Sequence, residues 1–252
     1  MNKWRLKCHK LIALAIATCS VFLIVNNIVN NSVNSQLAAE LPKPRVHPLP
    51  QFLANWQDPA NSGDYFREIE ATPVGYLIWS QFPVKVYVDK SASTENTAVE
   101  KRFREWTAAV DKAIAQWQVY FPLQEVAEPE KADIVVWRSQ PKREIKLNPD
   151  TGLYDIPRAI TAQTNYEFYL TKKPAVINLR MTVQLGDNFT GVTLLATIRH
   201  ELGHALGIWG HSPKASDALY FSQVSDPPPI SARDINTLKK IYQQPTRLGW
   251  GI

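Results

Sequence analysis

Three of the five histidines of this chain lie within twelve residues, in a pattern that suits metal binding. His200 and His204 lie four apart in a segment, Thr193 to Leu206, that we predict to be helical. Residues four apart share one face of a helix, so both imidazoles can reach a single ion. Glu201 follows the first of them, and its carboxylate can reach a water bound to that ion without occupying a coordination position.

A catalytic zinc site needs a third protein ligand and one open position. No glutamate follows Glu201, so a downstream glutamate is excluded and His211 and Asp217 are the remaining candidates. A continued helix would carry His211 about 10 Å along the axis from His204, so the chain must turn back for His211 to bind. Gly207 is placed to make that turn, because glycine readily adopts the left-handed conformation that ends a helix.

The segment HELGHALGIWGHS, which begins at His200, resembles the H-E-x-x-H-x-x-G-x-x-H signature of the metzincin zinc metallopeptidases. It is closest to the matrixin branch of that family. Further similarity lies in the strand-like segment 132–137 and in the helix-like segment 231–242. The resemblance covers residues 76–243, and the zinc motif is its specific part.

The resemblance implies both a site and a mechanism. It gives one Zn²⁺ ion three protein ligands: His200, His204 and His211. Glu201 is then the general base, which takes the proton of the attacking water and delivers it to the leaving amine. The implied function is a zinc-dependent endopeptidase acting on peptide or protein substrates. The substrate is expected along an edge strand near Ala175–Val183, with Tyr220 and the residues after it lining the pocket beyond the cleaved bond.

The chain departs from the family pattern at two places. Three residues, instead of two, separate Gly207 from His211, and Gly210 is expected to absorb the additional residue as a bulge. The segment Ser216–Tyr220 is similar to the turn that places a methionine beneath the metal, with Leu219 at the methionine position. Leucine is apolar and similar in volume, so the packing is expected to survive. No cysteine switch precedes the domain, and the matrixin calcium and structural zinc motifs are not evident.

The elements around the motif predict an α+β domain. They are, in chain order, a strand at 83–89, a long helix at 94–120, strands at 132–137, 160–170 and 175–183, the helix at 193–206 and a final helix at 231–243. The resemblance makes this a metzincin-like zincin domain with an α/β-type upper subdomain. It implies a twisted mixed sheet, a long helix, an active-site helix and a small C-terminal subdomain that ends in a helix.

The N-terminal segment 1–39 predicts export. It combines four basic residues and no acidic one with an apolar run, which is typical of a signal peptide or an N-terminal membrane anchor. The domain is therefore expected outside the cell, in the periplasm or at the outer face of a membrane, with membrane contact only through residues 11–28. Residues 40–75 are rich in proline and asparagine and read as a linker or pro-like segment, and residues 76–252 as the metallopeptidase domain.

Charge excludes a nucleic-acid-binding function. The net charge of +5 comes from the N-terminal segment, because without it 24 basic residues face 23 acidic ones. Two other classes stay open beside the peptidase. One is a non-catalytic, zinc-stabilised domain that binds peptide or cell wall, although such a domain has no use for Glu201. The other is a peptidoglycan-active hydrolase on a zincin fold. We expect a monomer.

Overall fold

A computed structural model describes residues 41–90, 93, 95–141, 146–147, 154–155, 161–172, 175–186, 189–222 and 224–251. Pro44–Gly251 form one compact unit. The predicted signal peptide or anchor, residues 1–39, lies outside the described residues. Within the described ranges, no helix is both long and apolar enough to cross a membrane.

A five-stranded, mostly parallel sheet is the centre of the unit. Its strands are β1 (Val84–Val88), β2 (Leu123–Glu125), β3 (Ile134–Trp137), β6 (Ala162–Lys172) and β7 (Ala175–Leu185). The order across the sheet is β2-β1-β3-β7-β6; the first four run parallel, and β6 runs antiparallel to β7. Two further short strands, β4 (Lys146–Leu147) and β5 (Tyr154–Asp155), pair with each other.

Four helices are present in the described part of the chain: α1 (Gln51–Ala54), α2 (Ala98–Gln118), α3 (Gly191–Ala205) and α4 (Ala232–Ile241). Helix α2 begins after Thr97, whose hydroxyl accepts a hydrogen bond from the Glu100 amide. Helix α4 begins with a capping box between Ser231 and Asp234. With the sheet, these helices confirm the predicted mixed α+β architecture.

Helix α2 positions the helix that carries the metal motif. Its buried residues recur at spacings of three and four and face the core: Trp106, Val110, Ala113, Ile114 and Trp117. The indole nitrogen of Trp117 donates a hydrogen bond to the carbonyl of Arg199 on α3, at 2.9 Å. This face of α2 is therefore part of the core, and the hydrogen bond from Trp117 ties it to α3.

The prediction that Ala175–Val183 form an edge strand is wrong. Strand β7 lies inside the sheet, where it pairs with β3 on one side and with β6 on the other. Its alternate residues are buried from Ile177 to Leu185, as expected for a strand covered by other elements. Among the described strands the outermost on this side is β6, because the β6–β7 hairpin folds its first strand to the outside. Two adjacent strands of similar composition do not reveal which of them is outermost.

The segment read from sequence as a linker or pro-like region belongs, from Pro44 onward, to the compact unit. Its contacts with the rest of the unit are both apolar and polar. The apolar side chains that it buries are Leu53, Tyr65, Ile69 and Val74. Arg45 exchanges two backbone hydrogen bonds with Thr246, and the Tyr65 hydroxyl donates to Asp234 at 2.6 Å. Residues 44–75 therefore close part of the core.

We expect removal of this segment to destabilise the protein. A chain that begins at Tyr76 should unfold at a clearly lower urea concentration than one that begins at Glu40, because it exposes the core surface that four buried side chains now cover. Each such side chain contributes roughly 1.5–3 kcal/mol when buried. Circular dichroism during urea titration measures the difference. Equal midpoints for the two chains would contradict the role given to residues 44–75.

Candidate metal centre

The fold brings His200, His204 and His211 together, with one ligating atom from each within 4.8 Å of the others. The Nε2 atoms of His200 and His204 are 3.1 Å apart. The His211 ring centre lies 5.2 Å from that of His200 and 4.8 Å from that of His204. The described residues thus contain one group of three side chains that could hold a metal ion.

Two backbone carbonyls orient the imidazoles. His200 Nδ1 lies 2.9 Å from the carbonyl oxygen of Ala218, and His204 Nδ1 lies 2.7 Å from that of Ile208. A carbonyl oxygen only accepts, so each Nδ1 carries the proton and each Nε2 presents a lone pair. Outer hydrogen bonds of this kind are a regular feature of metal-binding histidines.

The spacing of the two Nε2 atoms fits a tetrahedral ion. Ligand nitrogens about 2.0–2.1 Å from one zinc, at the tetrahedral angle, lie about 3.3 Å apart. The observed 3.1 Å is close to that value. Two unprotonated nitrogens at this separation repel each other unless a cation lies between them, so the arrangement itself favours an ion.

Burial keeps the ligands in the form that binds metal. It lowers the pKa of His200 to about 4, an effect that a charge on His204 would strengthen, and it lowers the pKa of His204 to about 4. Burial also lowers the pKa of His211. All three imidazoles are therefore neutral at pH 7, as metal ligation requires.

The chain returns to the site after α3 through a turn at Gly207, as predicted. Gly207 has φ +120°, and a Cβ there would lie 2.4 Å from the carbonyl oxygen of Leu77. Two three-residue turns follow: the Trp209 amide donates to the Gly207 carbonyl, and the Gly210 amide donates to the Ile208 carbonyl. These turns shorten the path, so His211 reaches the site despite the additional residue.

A backbone contact from the N-terminal segment holds this ligand loop. The Glu70 amide donates to the Trp209 carbonyl at 2.9 Å, and Ile69 pairs with Gly210 in an antiparallel bridge. A Cβ on Gly210 would lie 2.0 Å from the carbonyl oxygen of Glu68. Glycine is thus required at position 210 because the backbone of Glu68 approaches it closely. The sequence had predicted a different reason, a bulge that absorbs the additional residue.

The turn at 217–220 lies beneath the metal motif. Leu219 is fully buried, and a Cβ on Gly203 would lie 2.6 Å from its Cδ2. The Leu219 carbonyl accepts from the Ser212 amide at 2.7 Å, while the preceding carbonyl, of Ala218, orients His200. Leu219 therefore packs directly against α3, as expected for the apolar residue of this turn.

Asp217, the alternative third ligand, is engaged elsewhere. Its side chain is 1% exposed and accepts hydrogen bonds from Ser212 Oγ, from Ser231 Oγ at 2.8 Å and from Arg233 Nε at 2.9 Å. These bonds use both carboxylate oxygens and join the turn to the start of α4. Among the described residues, the group of converging ligands contains His211 and not Asp217.

Glu201 is buried beside the histidines and held by a residue that the sequence did not point to. Thr164 Oγ1, on β6, donates to Glu201 Oε2 at 2.6 Å and also lies 3.1 Å from the Glu201 carbonyl oxygen. Burial raises the pKa of Glu201, and the bond from Thr164 opposes that rise. Thr164 is distant in sequence, and a single threonine in a strand gives no signal of its own.

Two cavities flank Glu201. One, of about 350 Å³, is lined by His200, Glu201 and residues that follow the turn, including Tyr220 and Phe221. The other, of about 340 Å³, is lined by all three histidines together with Glu70, Gln163, Thr164, Glu201, Trp209 and Gly210. A peptide lying along β6 would therefore pass the Glu201 carboxylate, with one cavity on each side of it for its side chains.

Comparison with known proteins adds no assignment. No protein-family model matches this chain, and no curated protein matches it.

If the three histidines hold a metal ion, we expect Gly210→Ala to weaken its binding about 10- to 100-fold, because the new Cβ must displace Glu68 or the loop that carries His211. Competition with a chromophoric chelator measures the affinity. Gly251→Ala is the matched control, since the nearest atom to its Cβ is 3.9 Å away. Equal losses in both variants, or none in either, would contradict the proposed contact.

The third ligand can be tested directly. His211→Ala should lower zinc affinity by more than the about 10–100-fold that loss of an outer partner costs. Asp217→Asn keeps the shape of the side chain and should retain zinc more tightly than His211→Ala does. The same chelator competition compares the two variants. A larger loss in Asp217→Asn would reverse the assignment of the ligand.

Proposed function

We propose that this protein is a zinc-dependent endopeptidase of the metzincin type. The observation that carries the proposal is the convergence of three neutral histidines with a buried carboxylate, Glu201, between two cavities. A structural zinc site has four protein ligands, whereas this group offers three and opens to a cavity. That difference favours a catalytic site.

Zinc suits the donors present. Three imidazole nitrogens from His200, His204 and His211 form a donor set that zinc uses in hydrolytic sites. When bound, zinc supplies a water of lowered pKa and an electrostatic partner for the oxygen that becomes negative during hydrolysis.

Glu201 performs the proton transfers in this proposal. Its carboxylate takes a proton from the attacking water, and the protonated acid then gives that proton to the nitrogen of the departing amine. Thr164 holds the carboxylate through Oε2, so the side chain keeps one orientation. Burial raises the pKa of Glu201 above its ordinary value, which is the direction that strengthens a carboxylate as a base.

The peptide substrate is proposed to bind along β6. This strand has hydrogen-bonded neighbours on one side in the described sheet, and its residues Gln163 and Thr164 line the cavity at the histidines. An extended peptide added to such an edge gains backbone hydrogen bonds whatever its sequence, while the cavities select side chains. This placement replaces the one expected along Ala175–Val183.

The resemblance to metzincins supports the finer description of the fold. The resemblance implies a mixed sheet, a long helix, an active-site helix and a final helix. The described sheet is mixed, because four of its strands are parallel and β6 is antiparallel, and the three helices are α2, α3 and α4. A buried leucine stands where the family has a methionine, and it packs against Gly203 within the motif. We propose that its role is the same packing role.

The deciding experiment is cleavage of an unfolded protein by the purified full-length chain and by Glu201→Gln, with zinc content measured on both. Both proteins should hold one zinc ion. The parent should cut, and Glu201→Gln should cut about 10²–10⁴-fold more slowly, because it loses the general base. Hydrolysis by Glu201→Gln at the parent rate would contradict the role of Glu201 as the general base.

Other outcomes separate the remaining classes. Zinc in both proteins without any cleavage by the parent would favour a non-catalytic binding domain. Cleavage of cell-wall fragments but not of unfolded protein would favour a peptidoglycan-active hydrolase. Each result contradicts the endopeptidase proposal in a different way.

A further inference from the structure

Arg199 places a buried positive charge beside the proposed catalytic centre. It precedes His200 on α3, is 7% exposed and lines the cavity next to His200 and Glu201. Its Nε donates to Gln116 Oε1 on α2 at 2.8 Å, and its Nη1 donates to the carbonyl oxygen of Pro228. Pro228 lines the same cavity, so the guanidinium lies at the wall that this loop forms.

The Arg199 guanidinium forms no salt bridge in the described part of the chain, although the buried carboxylate of Asp234 interacts with its charge at longer range. Both hydrogen-bond acceptors are neutral oxygens, and no carboxylate there lies within 4.0 Å of the guanidinium. The nearby buried carboxylates are used by other groups. Asp217 is paired with Arg233, and Asp234 accepts from Tyr65 and from two backbone amides. Buried arginines ordinarily contact a carboxylate directly, and the direct contacts of Arg199 among the described residues are to neutral oxygens instead.

The rest of the cavity combines apolar walls, which include Phe189, Phe221 and Val224, with hydroxyl groups. Thr193 and Thr197 contribute hydroxyl-bearing walls, and Tyr220 contributes a phenol. The volume of about 350 Å³ is large enough for one long side chain. An apolar side chain bound there would cover the guanidinium without giving it a partner, which leaves a desolvated charge.

We propose that this cavity binds a carboxylate of the residue that follows the cleaved bond, and that Arg199 selects it. The inference rests on the proposed peptidase function and names its substrate class. A guanidinium that keeps two bonds to the protein still has donors for a third group, since it carries five N–H bonds. A carboxylate is the acceptor that gives the strongest such bond.

Two sources can supply that carboxylate. One is the side chain of a glutamate or aspartate within a longer chain. The other is the free C-terminus of a substrate that ends one residue beyond the cleaved bond. A side-chain carboxylate would make the protein an endopeptidase that cleaves before acidic residues. A C-terminal carboxylate would give it carboxypeptidase activity.

The first test uses the purified full-length protein with peptides that differ only at the residue after the cleaved bond. Glutamate should give a kcat/KM about tenfold or more above that of glutamine, its neutral counterpart of the same shape, and also above that of leucine. A glutamine peptide that ends at this residue is compared as free acid and as amide. Preference for the free acid alone would assign the carboxylate to the C-terminus.

The second test asks whether Arg199 is the cause. In Arg199→Met the ratio of kcat/KM for the glutamate peptide to that for the glutamine peptide should fall to about one, and Arg199→Lys should keep part of it. Arg102→Met, on an exposed arginine of α2 that lies outside this cavity, is the matched control. If Arg199 had a purely structural role, its replacement would change kcat/KM for both peptides by the same factor and leave the glutamate-to-glutamine ratio unaltered.

A third measurement does not need catalysis. Fluorescence anisotropy of labelled glutamate and glutamine peptides on the Glu201→Gln protein should show tighter binding of the glutamate peptide. If the parent cuts peptides but prefers leucine or glutamine over glutamate, the inference fails and the peptidase proposal stands. If neither peptide is cut by the parent while glutamate still binds more tightly, the peptidase proposal fails and the carboxylate site stands.

Discussion

The proposed centre depends on holding three neutral imidazoles with their free nitrogens directed at one point. Helical spacing brings His200 and His204 to one face, but it does not set the rotation of either ring. Carbonyls from two separate loops do so, one at Ala218 and one at Ile208. The site therefore exists only when both loops that follow α3 have folded against it.

Those two loops are in turn supported by the N-terminal segment. Tyr65 donates to Asp234, and the other oxygen of that carboxylate accepts from the Ala218 amide, within the turn that orients His200. A few residues later, the backbone at Glu68–Glu70 meets the loop that carries His211. A single segment thus reaches two of the three ligands. Its proline- and asparagine-rich composition, which resembles that of a linker, does not reveal this.

The sheet contributes orientation as well as a binding edge. Thr164 belongs to the outermost strand, β6, and its hydroxyl fixes the Glu201 carboxylate. The same strand is the outermost of the described sheet, and its residues Gln163 and Thr164 line the cavity at the histidines. The orientation of the proposed base and the path of the proposed substrate thus depend on one element. On the next cavity along, Arg199 of α3 lies beside His200 and Glu201, where we propose that it selects a carboxylate of the substrate.

The sequence by itself determined the local features. The helix bounds, the metal motif and the stop at Gly207 follow from side-chain periodicity, from fixed spacing and from the conformational freedom of glycine, all of which act over a few residues. The tertiary structure alone decided which strand is the edge, that Thr164 holds Glu201, and that Gly210 faces the backbone of Glu68. These contacts join residues far apart in the chain, and they depend on how whole elements pack, which no local pattern encodes.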